Sequence, residues 1–377
     1  MLVYLTIYII SKGVTFSMKK STKMLSFILA VIMVISLVPF AASAEKAESG
    51  SLSIYCVLST GLPAKNAEVV LTNKLADNVI KTYTANSDGI VLIPKNLRGA
   101  YYVSASCDGP VEGLEWHGTD GVLWDMNKMS DTSCLRLFPV LAVEFENSRH
   151  NAYMVGYSDG TFGPEQTLTR GEVANLIYRL MTRESRDEYY STENSFNDVQ
   201  SGMAYNTAIS TLRNAGVLDG FADGSFGYKE VITREQFAAM LGRLFDASYN
   251  GTDVFRDIAD SPAKDYINLL GTLGILSADE NGNFNPKAEL NRGDVCAAFN
   301  RLLGRMPTAD SIKHLNSIAP LRSFSDVNED CELYADIMEA TNGHVYMISA
   351  DEQDGELVIQ ENWLNFISPT NWTKLQK

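Results

Sequence analysis

The sequence predicts a multidomain protein, an N-terminal all-β sandwich followed by an all-α module built from repeats. Three observations carry this expectation. Between residues 51 and 147, short apolar and β-branched runs are separated by turn residues. Beyond residue 148 one stretch is written three times at intervals of about 60 residues, the mark of a repeated supersecondary unit. After each copy, apolar residues recur with helical period.

In the first region, strands are expected over Leu52 to Leu58, Glu68 to Leu71, Ile80 to Thr84, Ile90 to Ile93, Leu97 to Ala105 and Leu135 to Phe145. Gly61-Leu-Pro63 and Asn86-Ser-Asp-Gly89 supply turns between them. Short strands at this spacing argue for a sandwich over residues 45–147. The order Ala67-x-Val-x-Leu, Ser-Asp-Gly89, Leu-x-x-Gly-x-Tyr-x-Val, about 60 residues in all, resembles the prealbumin-like, Cna-B-type modules of Gram-positive surface proteins. Many of those carry a Lys–Asn cross-link. Ser51 to Thr60 contains no lysine, so that feature is not carried over.

The repeated stretch is Gly156-Tyr-Ser-Asp-Gly-Thr-Phe-Gly in its first copy and Gly220-Phe-Ala-Asp-Gly-Ser-Phe-Gly in its second. A worn third copy reads Ala278-Asp-Glu-Asn-Gly-Asn-Phe-Asn. Phe162, Phe226 and Phe284 each precede an arginine by eight residues: Arg170, Arg234 and Arg292. Each arginine opens a helix with one buried stripe, such as Val173, Leu176, Ile177, Leu180 and Met181 in the first copy. A second helical signal follows Phe196-Asn-Asp-Val, Phe255-Arg-Asp-Ile and Phe324-Ser-Asp-Val.

In this order, F-x-D-V, G-[YF]-x-D-G-x-F and T-R-x-E are similar to the S-layer homology repeat over roughly half the chain. The resemblance implies a helical, pseudo-threefold module over residues 148–343, with repeats at about 148–185, 195–246 and 254–304 and a closing half-repeat at 323–343. It also implies attachment of an exported protein to an anionic secondary cell-wall polysaccharide, often pyruvylated, in a Gram-positive wall or S-layer. The first repeat lacks its leading F-x-D-V, and a spare one follows the third. The C-terminal helix is therefore expected beside residues 156–183, closing the threefold.

Physical chemistry assigns part of T-R-x-E without a ligand. Thr169-x-x-Glu172 and Thr233-x-x-Gln236 are capping boxes, and Asn291-x-x-Asp294 is a weaker version. The arginine between them is unexplained, because a cation at the first helical position opposes the dipole by about 0.3–1 kcal/mol. An anion held by free helix N-terminal amides and the guanidinium would compensate, and a pyruvyl carboxylate fits. Polymer contact at Arg170, Arg234 and Arg292 stands against a purely structural ion pair. Asp198, Asp257 and Asp326 are helix caps or acceptors of sugar hydroxyls, and Tyr157 and Phe221 stack on a sugar or pack in the core. Gly156 and Gly220 open the same turns. In the third copy Ala278, Asp279, Asn281 and Asn291 replace the motif residues, with Asp279 expected to compete with an anion near Arg292. Two working sites, Arg170 and Arg234, follow, joined by avidity on a repeating polymer.

Other features bound the function. The 377-residue chain carries a net charge of −15, which argues against nucleic acid. Met18-Lys-Lys-Ser-Thr-Lys23, an apolar run from Leu25 to Phe40 and Ala42-Ser-Ala44 form an export signal, with Met18 the expected start and Glu45 the first mature residue. That run is too short to span a membrane. Cleavage after Ala44 takes four lysines and no acids from the charge of −15, leaving −19. Cys56–Cys107 or Cys107–Cys134 bridges are compatible with secretion, although the five cysteines form no disulfide framework.

No metal or cofactor is expected. The four histidines lie far apart, and a calcium loop at Asp279 fails at Ser277 and Ala288. No nucleophile or phosphate-loop motif is present, so a non-catalytic protein is expected. The rival readings are a β-module that binds a protein or glycan as an adhesin, and a wall enzyme within residues 51–147. Residues 182–194 and 306–322 read as loops, and the 344–377 tail receives no function.

Overall fold

The computed structural model describes residues 51–73, 79–94, 97, 99–118, 122–126, 132–318, 320–353 and 356–367. The expected export signal lies outside them. Among the described residues no helix is long and apolar enough to cross a membrane.

The N-terminal strands are β1 (Ser51–Leu58), β2 (Glu68–Asn73), β3 (Val79–Thr84), β4 (Ile90–Pro94), β5 (Ala100–Asp108), β6 (Glu115–Gly118), β7 (Val122–Asp125) and β8 (Thr132–Pro139). They do not form the expected all-β sandwich. One sheet runs β3-β2-β5-β6-β8-β1-β4, with β7 paired to β5. Its two ends, β3 and β4, come together, so the sheet curls into a near-barrel. Alternation along a strand reports that one face is buried, but two packed sheets and one curled sheet give the same pattern. The deciding contact is non-local: β1 lies between β4, antiparallel, and β8, parallel.

Inside the curl, Ile54, Cys56, Leu58, Val69, Leu71, Val91, Ile93, Val103, Trp116, Leu135 and Leu137 share one core. The β3–β4 turn follows its sequence signal. Asn86 Oδ1 accepts from the amides of Asp88 and Ile90. Gly89 has φ +75°, and a Cβ there would lie 2.4 Å from the Cys56 carbonyl oxygen, so only glycine fits. Cys56, Cys107 and Cys134 carry free thiols, so neither considered disulfide is formed. Burial pushes the Cys107 pKa up to about 11 and that of Cys134 to about 12.

The C-terminal helices are α1 (Arg170–Leu180), α2 (Arg183–Tyr189), α3 (Asn206–Asn214), α4 (Arg234–Gly242), α5 (Lys264–Thr272), α6 (Arg292–Leu303), α7 (Ala309–Ile318) and α8 (Tyr334–Thr341). Each helix that begins with a motif arginine packs on a later one, giving the pairs α1–α3, α4–α5 and α6–α8. The buried stripes meet there.

This region is not all-α, which corrects the second half of the fold expectation. Three extended segments precede α1, α4 and α6 and pair in a circle through single bridges. The Ile232 amide donates to the Leu168 carbonyl (2.9 Å), Leu168 to Leu290 (3.3 Å) and Leu290 to Ile232 (3.0 Å). All three side chains are buried. A hairpin of β9 (His344–Gln353) and β10 (Glu356–Phe366) follows α8 where no structure was assigned. The supposed loops at 182–194 and 306–322 contain α2 and α7.

The chain joining the two regions is held along its length. Leu141, Phe145 and His150 form bridges with Phe245, Met181 and His344, which lie beyond the C-terminal ends of α4, α1 and α8. The outer face of β1 is covered too, since Tyr55 and Val57 pack with Ile359 of β10.

Closure of the repeats comes from the spare F-x-D-V. Phe324 packs against Phe162 with ring centroids 5.4 Å apart, while α8 itself lies on α6. Deleting residues 320–377 therefore exposes the first repeat's turn and one face of α6. We expect the melting temperature to fall by at least about 10 °C, the equivalent of several kcal/mol for a chain of this size. An unchanged temperature in calorimetry would refute the closing role.

Candidate functional site

The site is built from three copies of one arrangement. In each, a phenylalanine of the aspartate motif meets the phenylalanine of a turn: Phe162–Phe324, Phe196–Phe226 and Phe255–Phe284, at 5.4, 5.3 and 5.2 Å. Gly156 and Gly220 make room for these rings. A Cβ at either would lie 2.2 Å from a ring atom of Phe324 or 2.5 Å from one of Phe196. Their role in the fold is packing.

The aspartates clamp the same turns. Asp198 accepts from the amides of Phe226 (2.7 Å) and Gly227 (2.8 Å), and Asp257 from those of Phe284 (2.7 Å) and Asn285 (2.8 Å). Asp326 accepts from Phe162 (2.8 Å) and Gly163 (2.7 Å), across more than 160 residues of chain. Neither helix capping nor a free carboxylate describes them. Desolvation raises the Asp326 pKa, but backbone amides, those of Phe162, Gly163 and Asp326 itself, together outweigh it and hold the carboxyl below its ordinary range.

Each arginine serves the turn of a neighbouring repeat. Arg170 reaches the second turn, donating from Nε to the Phe226 carbonyl (2.8 Å) and from Nη2 to that of Asp219 (3.3 Å). Its guanidinium lies 4.6 Å from the Phe221 ring centroid and 4.8 Å from that of Phe226. Arg234 reaches the third turn, at the carbonyls of Phe284 (2.7 Å) and Ser277 (3.0 Å). Arg292 returns to the first, donating to Phe162 (2.9 Å) and Val155 (2.6 Å) beneath the rings of Tyr157 and Phe162.

The arrangement revises three expectations. Capping boxes are complete at Thr169 and Thr233, and Asn291 caps with one arm. The helix N-termini, however, are not open to an anion. The amides of Arg170 and Gly171 donate to Glu230 and Tyr228, those of Arg234 and Glu235 to Ala288 and Pro286, and those of Arg292 and Gly293 to Gln166 and Pro164. The caps take the third amide in each case. Second, the motif arginine is offset against the dipole by carbonyl oxygens and ring faces instead of a carboxylate. Third, Asp279 stands by Arg234 and not by Arg292, because the pairing runs between repeats. The worn turn thus belongs to the Arg234 cleft, and the Arg292 cleft contains the intact first turn.

Burial lowers the Arg170 pKa to about 10, against an opposing pull from Glu230, so it remains a cation at neutral pH. Arg234 is lowered in the same sense, with Asp294 3.9 Å away. Asp279 takes over the missing turn aspartate, accepting from the amides of Asn281 and Asn283 (both 2.9 Å). Next to the buried Arg292 and Arg170 the aromatic edge is open. Tyr157 is 48% exposed and Phe221 is half-buried.

Two further features escape the motifs. A cavity of about 440 Å³ lies between α1 and α3, lined by Asn175, Tyr178, Tyr190 and Tyr205, and includes none of the arginines. His150, Glu339, His344 and Glu361 converge in the interior as a set able to hold a metal. No spacing rule could have found them, since His150 and His344 are 194 residues apart.

Residues 149–174, 195–238 and 254–296 match the S-layer homology domain. The chain carries S-layer homology repeats. Over 218 residues it is 30% identical to cell surface glycoprotein 1 of Acetivibrio thermocellus, covering 54% of this chain and 9% of that one. The cellulosome-anchoring protein of the same organism is 27% identical over 218 residues, 56% of this chain and 46% of its own. An amylopullulanase of Thermoanaerobacterium thermosulfurigenes is 33% identical over 171 residues, 43% of this chain and 9% of the relative. This chain thus spans less than half of each of these relatives' length, and the three include one protein named as an anchor and one named as an enzyme.

Asp326→Asn tests the clamp across the repeat closure. Its depressed pKa contributes stability that is present above the unfolded value near 3.9 and is lost as pH falls through the folded value. At pH 7 the variant should lose about 1 kcal/mol, discounted for solvent exposure. Denaturant melts of the two proteins should converge as the pH falls below the depressed folded value. A gap that persists there would assign the loss to packing.

Proposed function

We propose that this chain is an exported cell-surface protein held non-covalently to an anionic, pyruvylated secondary cell-wall polysaccharide through its S-layer homology repeats. The β-module is the part it presents, and the repeats act as a non-catalytic anchor. The single observation that carries the reading is the set of inter-repeat clefts, in which a buried arginine stands beneath an accessible aromatic ring. Such a cleft offers a guanidinium edge for a ketal carboxylate and a ring face for a sugar. The resemblance to a cellulosome-anchoring protein and to the surface-layer 125 kDa protein of Lysinibacillus sphaericus, 26% identical over 169 residues, supports the same reading.

Pairing between repeats changes which clefts should work. The Arg170–Phe221 and Arg292–Tyr157 clefts combine an intact turn with an aromatic residue. At Arg234 the corresponding position is Asp279, whose carboxylate repels an anionic polymer. Two weak sites on one rigid body reach useful strength by avidity when the polymer repeats.

The test is sedimentation of the full chain with cell-wall sacculi, intact or stripped of secondary polymer. Tyr157→Ala and Phe221→Ala alter the exposed edge of each cleft while leaving the arginine in place. Each should weaken binding roughly tenfold, equivalent to about 1.4 kcal/mol, and the double variant more. Asp279→Ala should leave binding unchanged or strengthen it. Binding that survives removal of the polymer, or that ignores both aromatic substitutions, would overturn the assignment.

A further inference from the structure

We propose that His150, Glu339, His344 and Glu361 form a buried structural site for a divalent transition metal, of the zinc class. The four residues come from separate parts of the chain. His150 lies in the segment entering the repeats, Glu339 on α8, His344 at the start of β9 and Glu361 on β10. Reciprocal backbone hydrogen bonds between His150 and His344 (3.0 and 2.9 Å) place the two imidazoles side by side.

The four ligand atoms lie within 4.8 Å of one another, and the separations that involve a histidine nitrogen are close to those of a tetrahedral shell. His150 Nδ1 lies 3.2 Å from His344 Nε2, 2.9 Å from Glu339 Oε1 and 3.4 Å from Glu361 Oε1. His344 Nε2 lies 3.4 Å from Glu339 Oε2 and 3.3 Å from Glu361 Oε1. Metal–ligand bonds of about 2.0–2.1 Å in a tetrahedron separate neighbouring ligand atoms by about 3.3 Å. One proton can bridge two of these atoms, but four acceptors converge here.

The surroundings are those of a ligand shell. His344 Nδ1 faces the Asn342 carbonyl oxygen at 2.9 Å. With the Nδ1 proton donated there, the Nε2 lone pair is aimed at the cluster. Glu361 accepts from Trp363 Nε1 (2.8 Å) on one oxygen and from the Met306 amide (3.0 Å) on the other. The His344 ring is stacked on Trp363 and the His150 ring on Tyr346, each at 3.8 Å, so both are fixed in orientation. All four ligand side chains are buried, leaving no position for substrate. The site is closed and therefore structural.

A second observation points to a cation at this cluster. Glu339 Oε2 is buried and accepts no hydrogen bond, with His344 Nε2 3.4 Å away. Its charged neighbour, Arg305, serves only the other oxygen, donating from Nη1 to Glu339 Oε1 (3.5 Å) and to the Asn151 carbonyl (3.1 Å). A buried carboxylate oxygen without a donor is costly, whereas a metal bond satisfies it. The ion would pin the entering segment, the closing helix and the terminal hairpin to one point, and its binding energy would add to folding.

The experiment uses the full chain purified without a polyhistidine tag. Metal is removed with EDTA, and zinc, cobalt(II), magnesium or calcium is then added back singly. We expect one equivalent of zinc per chain by mass spectrometry and a melting temperature that falls by at least about 5 °C on removal. Zinc should restore it, and magnesium or calcium should not. Cobalt(II) should give the intense visible absorption of a four-coordinate site. His344→Gln and Glu361→Gln should abolish stoichiometric binding with the far-ultraviolet circular dichroism retained. Should a variant fail to fold, the cobalt spectrum of the unsubstituted chain decides. Absence of stoichiometric zinc, a melt indifferent to EDTA and zinc, or undiminished binding by folded variants would overturn the site and leave a charge-sharing network.

Discussion

Everything in the repeat region depends on how each motif arginine is received by the turn of another repeat. Arg170, Arg234 and Arg292 sit at the first position of their helices, where a cation is disfavoured. Each escapes by crossing to backbone carbonyls and phenylalanine faces of a neighbouring turn. A guanidinium suits this task because its planar fork donates in fixed directions while its face stacks on a ring. The turn that receives it is clamped from behind by an aspartate. No repeat can complete its own motif, so the three form one cooperative body.

That mutual dependence explains why degeneracy in one copy is felt in another. The third turn has lost its glycine, its aromatic residue and its turn aspartate, yet it keeps its shape because Asp279 accepts the amides instead. Its chemical cost falls on Arg234. The first turn, whose own aspartate motif is missing upstream, is completed by Asp326 and Phe324 from far downstream. Function and closure therefore share the same contacts.

The β-module is joined to this body by more than a tether. Residues 141–150 bridge to the segments beyond three helices, and β1 buries its outer face against the terminal hairpin. The proposed metal lies where these connections meet, at His150 and the first residue of β9. A cation there would fasten the entrance and exit of the repeat region to each other.

Local chemistry was written plainly in the sequence. The three turns, the capping Thr169 and Thr233, the buried stripes of α1, α4 and α6, and the Asn86–Gly89 turn each follow from residues within a few positions of one another. The order of motifs pointed to the repeat family and so to the cell surface. Tertiary structure alone decided the rest. A curled sheet and a sandwich share one alternation, so only the pairing of β1 with β8 separates them. Helical period says nothing of the extended segments, so the ring through Leu168, Ile232 and Leu290 was invisible. Arg292 was read with its own repeat, although it belongs to the first turn, and His150 was read as isolated, although it meets His344. In every such case the partner lies scores of residues away, and sequence separation carries no information about distance once the chain is folded.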